Sequence, residues 1–141
     1  MKPSQVMQHM IEQLAEKHNF DLTAADGSGL KIENPPFMPL NITAYGKGRV
    51  AVNHSITDEY WHETTYDPEI VFMTLCDGWY GITYEQQSMG IYQVAAEIED
   101  GKLLSINTKQ QADIGGFANE WARNIKRQGF LDDDVTVTIC K

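Results

Sequence analysis

The sequence predicts an α+β domain: an N-terminal helix, a mostly antiparallel multi-stranded sheet, and a C-terminal amphipathic helix packed on the sheet. Three observations predict it. Apolar residues recur at helical spacing near the two ends only, at Met7, Met10, Ile11 and Leu14, and again at Ile114, Phe117, Ala118, Trp121, Ala122 and Ile125. Between them, from about residue 20 to 107, the chain breaks into short runs separated by turn residues. Finally, 141 residues with 42% apolar and 22% charged composition suit one globular domain, residues 1–141, with one core.

The first helix is expected over residues 4–17. Ser4 stands at its N-cap, and His18-Asn19 ends it, since Asn tolerates the left-handed conformation. The sheet is expected over residues 30–106. Pro35-Pro36 and Pro39 impose extended backbone ahead of Leu40. Strands are expected over 30–33, 40–45, 49–56, 59–65, 69–75, 79–85, 91–98 and 103–106. Turn signals fall at Asp26-Gly27, Gly46-Lys47-Gly48, Asp77-Gly78 and Asp100-Gly101. Ile70-Val71-Phe72-Met73 is apolar on both alternations and reads as a central strand covered on both faces.

The second helix is expected over residues 108–128. Thr108 with Gln111 resembles a capping box, Asp113 is the alternative cap, and Gly129 is the expected C-terminal glycine. Gly115-Gly116 reads as a helix breaker, or as N–H groups open to an anion at a helix start. Arg123, Lys126 and Arg127 oppose the dipole of the helix C-terminus, or form a three-charge phosphate footprint. Residues 131–141 form an acidic tail whose Val135–Ile139 run adds an edge strand or stays loose.

The run from Leu30 to Phe130 carries a resemblance. Its blocks are Glu33-Asn34-Pro35-Pro36-Phe37-Met38-Pro39-Leu40, Asp67-Pro68-Glu69-Ile70-Val71-Phe72, Gly90-Ile91-Tyr92-Gln93, Phe117-Ala118-Asn119-Glu120-Trp121-Ala122-Arg123-Asn124 and Gln128-Gly129-Phe130. In order and spacing they resemble a small uncharacterised domain family found in proteins of bacterial mobile genetic elements: plasmids, phages and integrative elements. The resemblance brings no catalytic residue. It implies a context in which small proteins act on host machinery. Several inhibitors of CRISPR nucleases are acidic proteins of about this size, a parallel of size, charge and context.

Charge placement is the strongest feature. The formal charge is -9 and the pI about 4.7, which argues against direct nucleic-acid binding, because phosphate contacts need Lys and Arg. From Val50 to Asp100 there is no Lys or Arg, and ten acids stand there, so all eleven cations lie in the flanks. One reading is an acidic surface that meets a basic groove as a nucleic-acid mimic; the other is a solvated face that keeps the sheet soluble. The expected protein-binding residues are Asp58, Glu59, Trp61, Glu63, Asp67 and Glu69. Strand alternation lets either Tyr60 or Trp61 point to the core and leaves the other as an interface anchor.

Other chemistry is thin. Taking Thr57-Asp58 as a two-residue hairpin loop pairs Ile56 with Glu59 and puts His54 and His62 on opposite faces, so no metal or other cofactor is expected. His54 continues the Val50, Val52 alternation as a packed histidine. Cys76 and Cys140 match no ligand or redox spacing and read as free thiols of a reducing compartment. No nucleophile elbow, phosphate loop or dinucleotide fingerprint is present, and no catalytic residue is assigned. No membrane-length apolar run or signal-peptide core appears, so the cytoplasm is the expected location, with no membrane contact.

The leading expectation is therefore a non-enzymatic binding protein of a mobile element. It would inhibit or modulate a host protein with a basic nucleic-acid-binding groove, a CRISPR nuclease among the candidates. The alternatives are a small-molecule binder or enzyme with a sheet–helix pocket of Trp79, Tyr84, Tyr92 and Trp121, and a structural subunit of a mobile-element complex. Alternation of Tyr80, Ile82 and Tyr84 also offers a sheet face for a homodimer.

Overall fold

Two helices lie on one face of an antiparallel sheet and a short hairpin covers part of the other. The computed structural model describes residues 1–140. Helix α1 spans Gln5–Lys17 and α2 spans Thr108–Arg127. The strands are β1 (Gly29–Glu33), β2 (Leu40–Gly46), β3 (Arg49–Thr57), β4 (Thr64–Leu75), β5 (Gly78–Gln86), β6 (Ile91–Val94), β7 (Ala96–Glu99), β8 (Lys102–Ile106) and β9 (Thr136–Cys140). Seven of them form one sheet in the order β6-β5-β4-β3-β2-β1-β9, and β7 with β8 forms the separate hairpin. The α+β class and the placing of both helices are as the sequence predicts.

The main core lies between the helices and the inner face of the sheet. Met7, Ile11 and Leu14 of α1 and Ile114, Trp121 and Ile125 of α2 meet Leu30, Ile32, Ile42, Val52, Ile70 and Phe72 of the strands. A smaller cluster on the outer face joins Met73, Tyr80 and Ile82 to Ala96, with Val71, Ile98 and Ile106 packed against it. Strand β4 is thus buried on both faces, as its unbroken apolar run requires. Two tight turns use the φ > 0 residues their type demands: Lys47-Gly48 at φ 53 and 73, and Asp100-Gly101 at φ 51 and 75.

The helix ends depart from expectation. Ser4 does not cap α1. It is buried, its hydroxyl donates to Asn119 Oδ1 at 2.6 Å, and its N–H donates to the Trp79 carbonyl at 2.7 Å. The side chain is taken up by a tertiary bond because α1 starts beside α2 and β5. Neither Thr108 nor Asp113 caps α2; Asn107 does, its Oδ1 accepting the Gln110 N–H at 3.0 Å. Gln111 is fully buried instead, holding Lys2 through both its backbone groups. Gly115 and Gly116 do not break the helix. A Cβ on Gly115 would stand 3.1 Å from the Lys2 carbonyl, so the glycine admits the N-terminal segment against α2. Gly129, at φ 86, follows α2 as expected.

Three strand expectations are corrected. Residues 59–65 are not a strand; 58–63 form a loop and β4 starts at Thr64. The expected 91–98 strand divides at Ala95, whose N–H donates to the Ile82 carbonyl at 2.8 Å while its carbonyl accepts from Asn107 N–H at 2.7 Å. That anchor swings the chain from the sheet edge into the outer hairpin. The Tyr80, Ile82, Tyr84 face is not one face. A bulge opposite Val71/Phe72 reverses the alternation of β5, so Tyr80 and Ile82 lie under the hairpin and Tyr84 meets Phe117 at 5.1 Å on the helix side. The tail adds an edge strand, β9, antiparallel to β1 from Gly29↔Cys140 to Glu33↔Thr136; Lys141 lies outside the described residues.

Candidate protein interface

The loop between β3 and β4 is a single helical turn capped at both ends. Asp58 Oδ1 accepts the N–H groups of Tyr60 at 2.9 Å and Trp61 at 2.7 Å, the bonds an N-cap makes. The Asp58 carbonyl accepts the His62 N–H at 2.8 Å, and His62 turns to φ 57, the left-handed position that ends a helix. The Glu63 carbonyl accepts the Asp58 N–H at 2.8 Å and closes the loop. Pairing across its base is Ile56↔Thr65 and Thr57↔Thr64, not the expected Ile56 with Glu59.

This turn carries both aromatics into solvent. Tyr60 is 79% exposed and Trp61 69% exposed, their rings edge-to-face at 4.9 Å. The expectation that one of them would face the core fails, because alternation applies to strands and this is a turn. Asp58, Glu59 and Glu63 surround them. Among the described residues no acid between positions 50 and 100 forms a salt bridge; the ion pairs present are Lys17–Asp133, Lys31–Glu33 and Arg123–Glu120. The turn therefore combines bare carboxylates with a preordered aromatic pair.

Asp67 and Glu69 do not join this cluster. The β3–β4 register shifts between Asn53 and Ser55, so the two acids fall on different faces. The Asp67 charge acts on His54 and Tyr84, on the helix side. Glu69 lines a cleft on the outer face and accepts a 3.0 Å bond from Asn53 Nδ2. Burial pushes the Glu69 carboxyl above its ordinary value and the Glu85 charge adds to this, while the Asn53 bond opposes it. The six expected binding residues thus divide into a loop group of Asp58, Glu59, Trp61 and Glu63, and two acids elsewhere.

The four expected pocket residues are not brought together either. Trp79 and Trp121 fill the core between sheet and helices, Tyr84 is half-buried beside Phe117, and Tyr92 is exposed on the outer face. His54 packs as expected. Its ring lies 5.4 Å from Trp121 and 5.6 Å from Phe130, and Nδ1 faces the Met38 carbonyl at 3.0 Å, which fixes the proton on Nδ1. Burial lowers its pKa, partly opposed by the Pro39 and Met38 carbonyls and Asp67. His62 sits in the acidic turn, its backbone left-handed at φ 57. Among the described residues no group of three His, Cys, Asp or Glu is placed to hold a metal ion. Cys76 and Cys140 are free and exposed. Arg123 and Arg127 bond Glu120 at 2.6 Å and Asn124 at 3.0 Å along α2. No helix among the described residues is long and apolar enough to cross a membrane.

Sequence reasoning missed the turn itself. Its signal was present: Asp58 is an N-cap residue, followed by an acid in the first turn. A family model, described as a domain of unknown function (DUF6908), matches residues 5–131. No curated protein and no solved structure matches the chain.

Proposed function

The chain belongs to the DUF6908 family, whose function is unassigned, and from that premise we propose a role carried by its surface: a non-enzymatic binding protein whose acidic turn docks on a basic protein groove. One observation carries the reading. Tyr60 and Trp61 stand in water side by side, held by Asp58 and accompanied by carboxylates that form no salt bridge among the described residues. Exposed aromatics are the commonest interface anchors, and a ring of uncompensated charge steers a basic partner onto them. A groove built for nucleic acid presents such a basic surface. The finest form of the proposal is a mobile-element protein that occupies the nucleic-acid groove of a host enzyme, a CRISPR nuclease among the targets. The sequence resemblance and the charge of -9 support that form.

The test is competition. A purified nuclease is titrated with the protein in the presence of its labelled nucleic acid, at low and at high salt. Displacement that weakens with salt is expected, and Trp61→Ala or a Glu59→Lys, Glu63→Lys pair should reduce it at least about tenfold without loss of fold. Displacement that is indifferent to these variants would remove the turn as the contact.

A further inference from the structure

The outer face of the sheet holds a second acidic feature of different construction. The β7–β8 hairpin leans over β4 and β5 and leaves a cleft of about 560 Å³ beside it. Its apolar lining is Val71 and Ile82 of the sheet with Ile98 of the hairpin, and Glu69, Glu85, Glu97 and Glu99 line it as well. A second hollow of about 850 Å³ shares Arg49, Val71, Ile98 and Glu99 with the first and carries it on to Tyr45 and Asp100. Together they cross the sheet from β6 to β2, four strand spacings or roughly 19 Å. That is the length of about six extended residues.

We propose that this cleft receives an extended, Arg- or Lys-rich peptide segment of a protein partner. The first cleft is acidic, with Glu69, Glu85, Glu97 and Glu99 against Arg49, and the second hollow is balanced, with Glu99 and Asp100 against Lys47 and Arg49. The cations in its walls are Arg49 and Lys47, and Arg49 is turned onto the Ile98 carbonyl at 3.2 Å. Glu69 and Glu85 are direct cross-strand partners, and like charges placed opposite each other destabilise a sheet. Burial of Glu69 raises the cost of that arrangement. A guanidinium or ammonium between the two carboxylates would offset both. Tyr92, the partner of Glu85 on the next strand, is 65% exposed and offers its ring to a guanidinium. The apolar lining suits a peptide whose basic residues alternate with aliphatic ones, since neighbouring side chains of an extended chain point opposite ways. A nucleic acid is excluded by the sign of the charge.

The site is separate from the Asp58–Glu63 turn, so the two can fail independently. The probe is a labelled hexapeptide of alternating Arg and Leu, followed by fluorescence anisotropy with the full chain at low and raised ionic strength. Saturable binding is expected, with a loss of about tenfold in a Glu69→Gln, Glu85→Gln variant and less than about twofold in Trp61→Ala or Glu59→Lys. Amide NMR shifts on titration should centre on Val71, Ile98 and Tyr92, a readout independent of any variant's stability. Four results overturn the proposal: no saturable binding, no loss in the double variant, equal loss in the turn variants, or full competition by spermine at the peptide's own concentration. The last would make the cleft a polyamine site.

Discussion

A single carboxylate decides what two aromatic rings do. The Tyr60 and Trp61 N–H groups both donate to Asp58 Oδ1, and the turn this closes carries both rings away from the sheet into solvent. The same scale shows what His54 does. Its proton sits on Nδ1 against the Met38 carbonyl, and burial lowers its folded pKa below the ordinary 6.5. The unfolded chain then binds more protons than the folded one between that lowered value and 6.5, so stability rises with pH across this window and falls as acid is added. His18, also lowered by burial and by Lys17, acts in the same direction. Urea midpoints measured at pH 5 and pH 7.5 should therefore differ less in His54→Gln than in the parent chain, with His18 acting in the same direction and the raised Glu69 carboxyl in the opposite one; an unchanged difference would show that His54 contributes nothing. Packing of His54 was legible from its alternation with Val50 and Val52. The division of Asp67 from Glu69 was not, because one extra residue in a strand leaves no mark in composition.

Elements were legible where one period ran long enough. Both helices, the two-sided burial of β4 and the turns at Lys47-Gly48 and Asp100-Gly101 follow from spacing and from glycine placement. Helix caps and strand breaks were not, because tertiary partners override them: Ser4 bonds Asn119, Gln111 holds Lys2, and Ala95 is pinned between Ile82 and Asn107. The contact of α2 with β5 is the closest of these arrangements. An added Cβ at Gly81 would come within 2.5 Å of Ile114 Cγ2 and 3.4 Å of Ile70 Cγ2. Both neighbours are β-branched and stiff, so Gly81→Ala should lift the helix from the sheet and cost about 1–3 kcal/mol in chemical denaturation. A variant as stable as the parent would show that α2 can shift without loss.

Over the whole molecule, charge and fold pull against each other. Twenty acids face eleven cations, and the described ion pairs leave the segment from 50 to 100 unrelieved. Self-repulsion destabilises the compact state and salt screens it. Raising ionic strength should increase the melting temperature while weakening capture of a basic partner, opposite responses from one cause; a melting temperature that falls with salt would contradict this. The acidic segment was readable from the sequence, but its division into an exposed turn and a walled cleft depended on two bulges and one swung hairpin. The pairing of β1 with β9 reaches further. Gly29 pairs with Thr43 of β2 on one side but finds its other partner only at Cys140, so during synthesis the outer edge of β1 stays open while more than a hundred residues are still to come. Through that interval its outer backbone groups are open to any strand nearby, including one on a neighbouring nascent chain. The order of manufacture thus sets an interval that the finished sheet no longer shows: until β9 is made, β1 is an open edge.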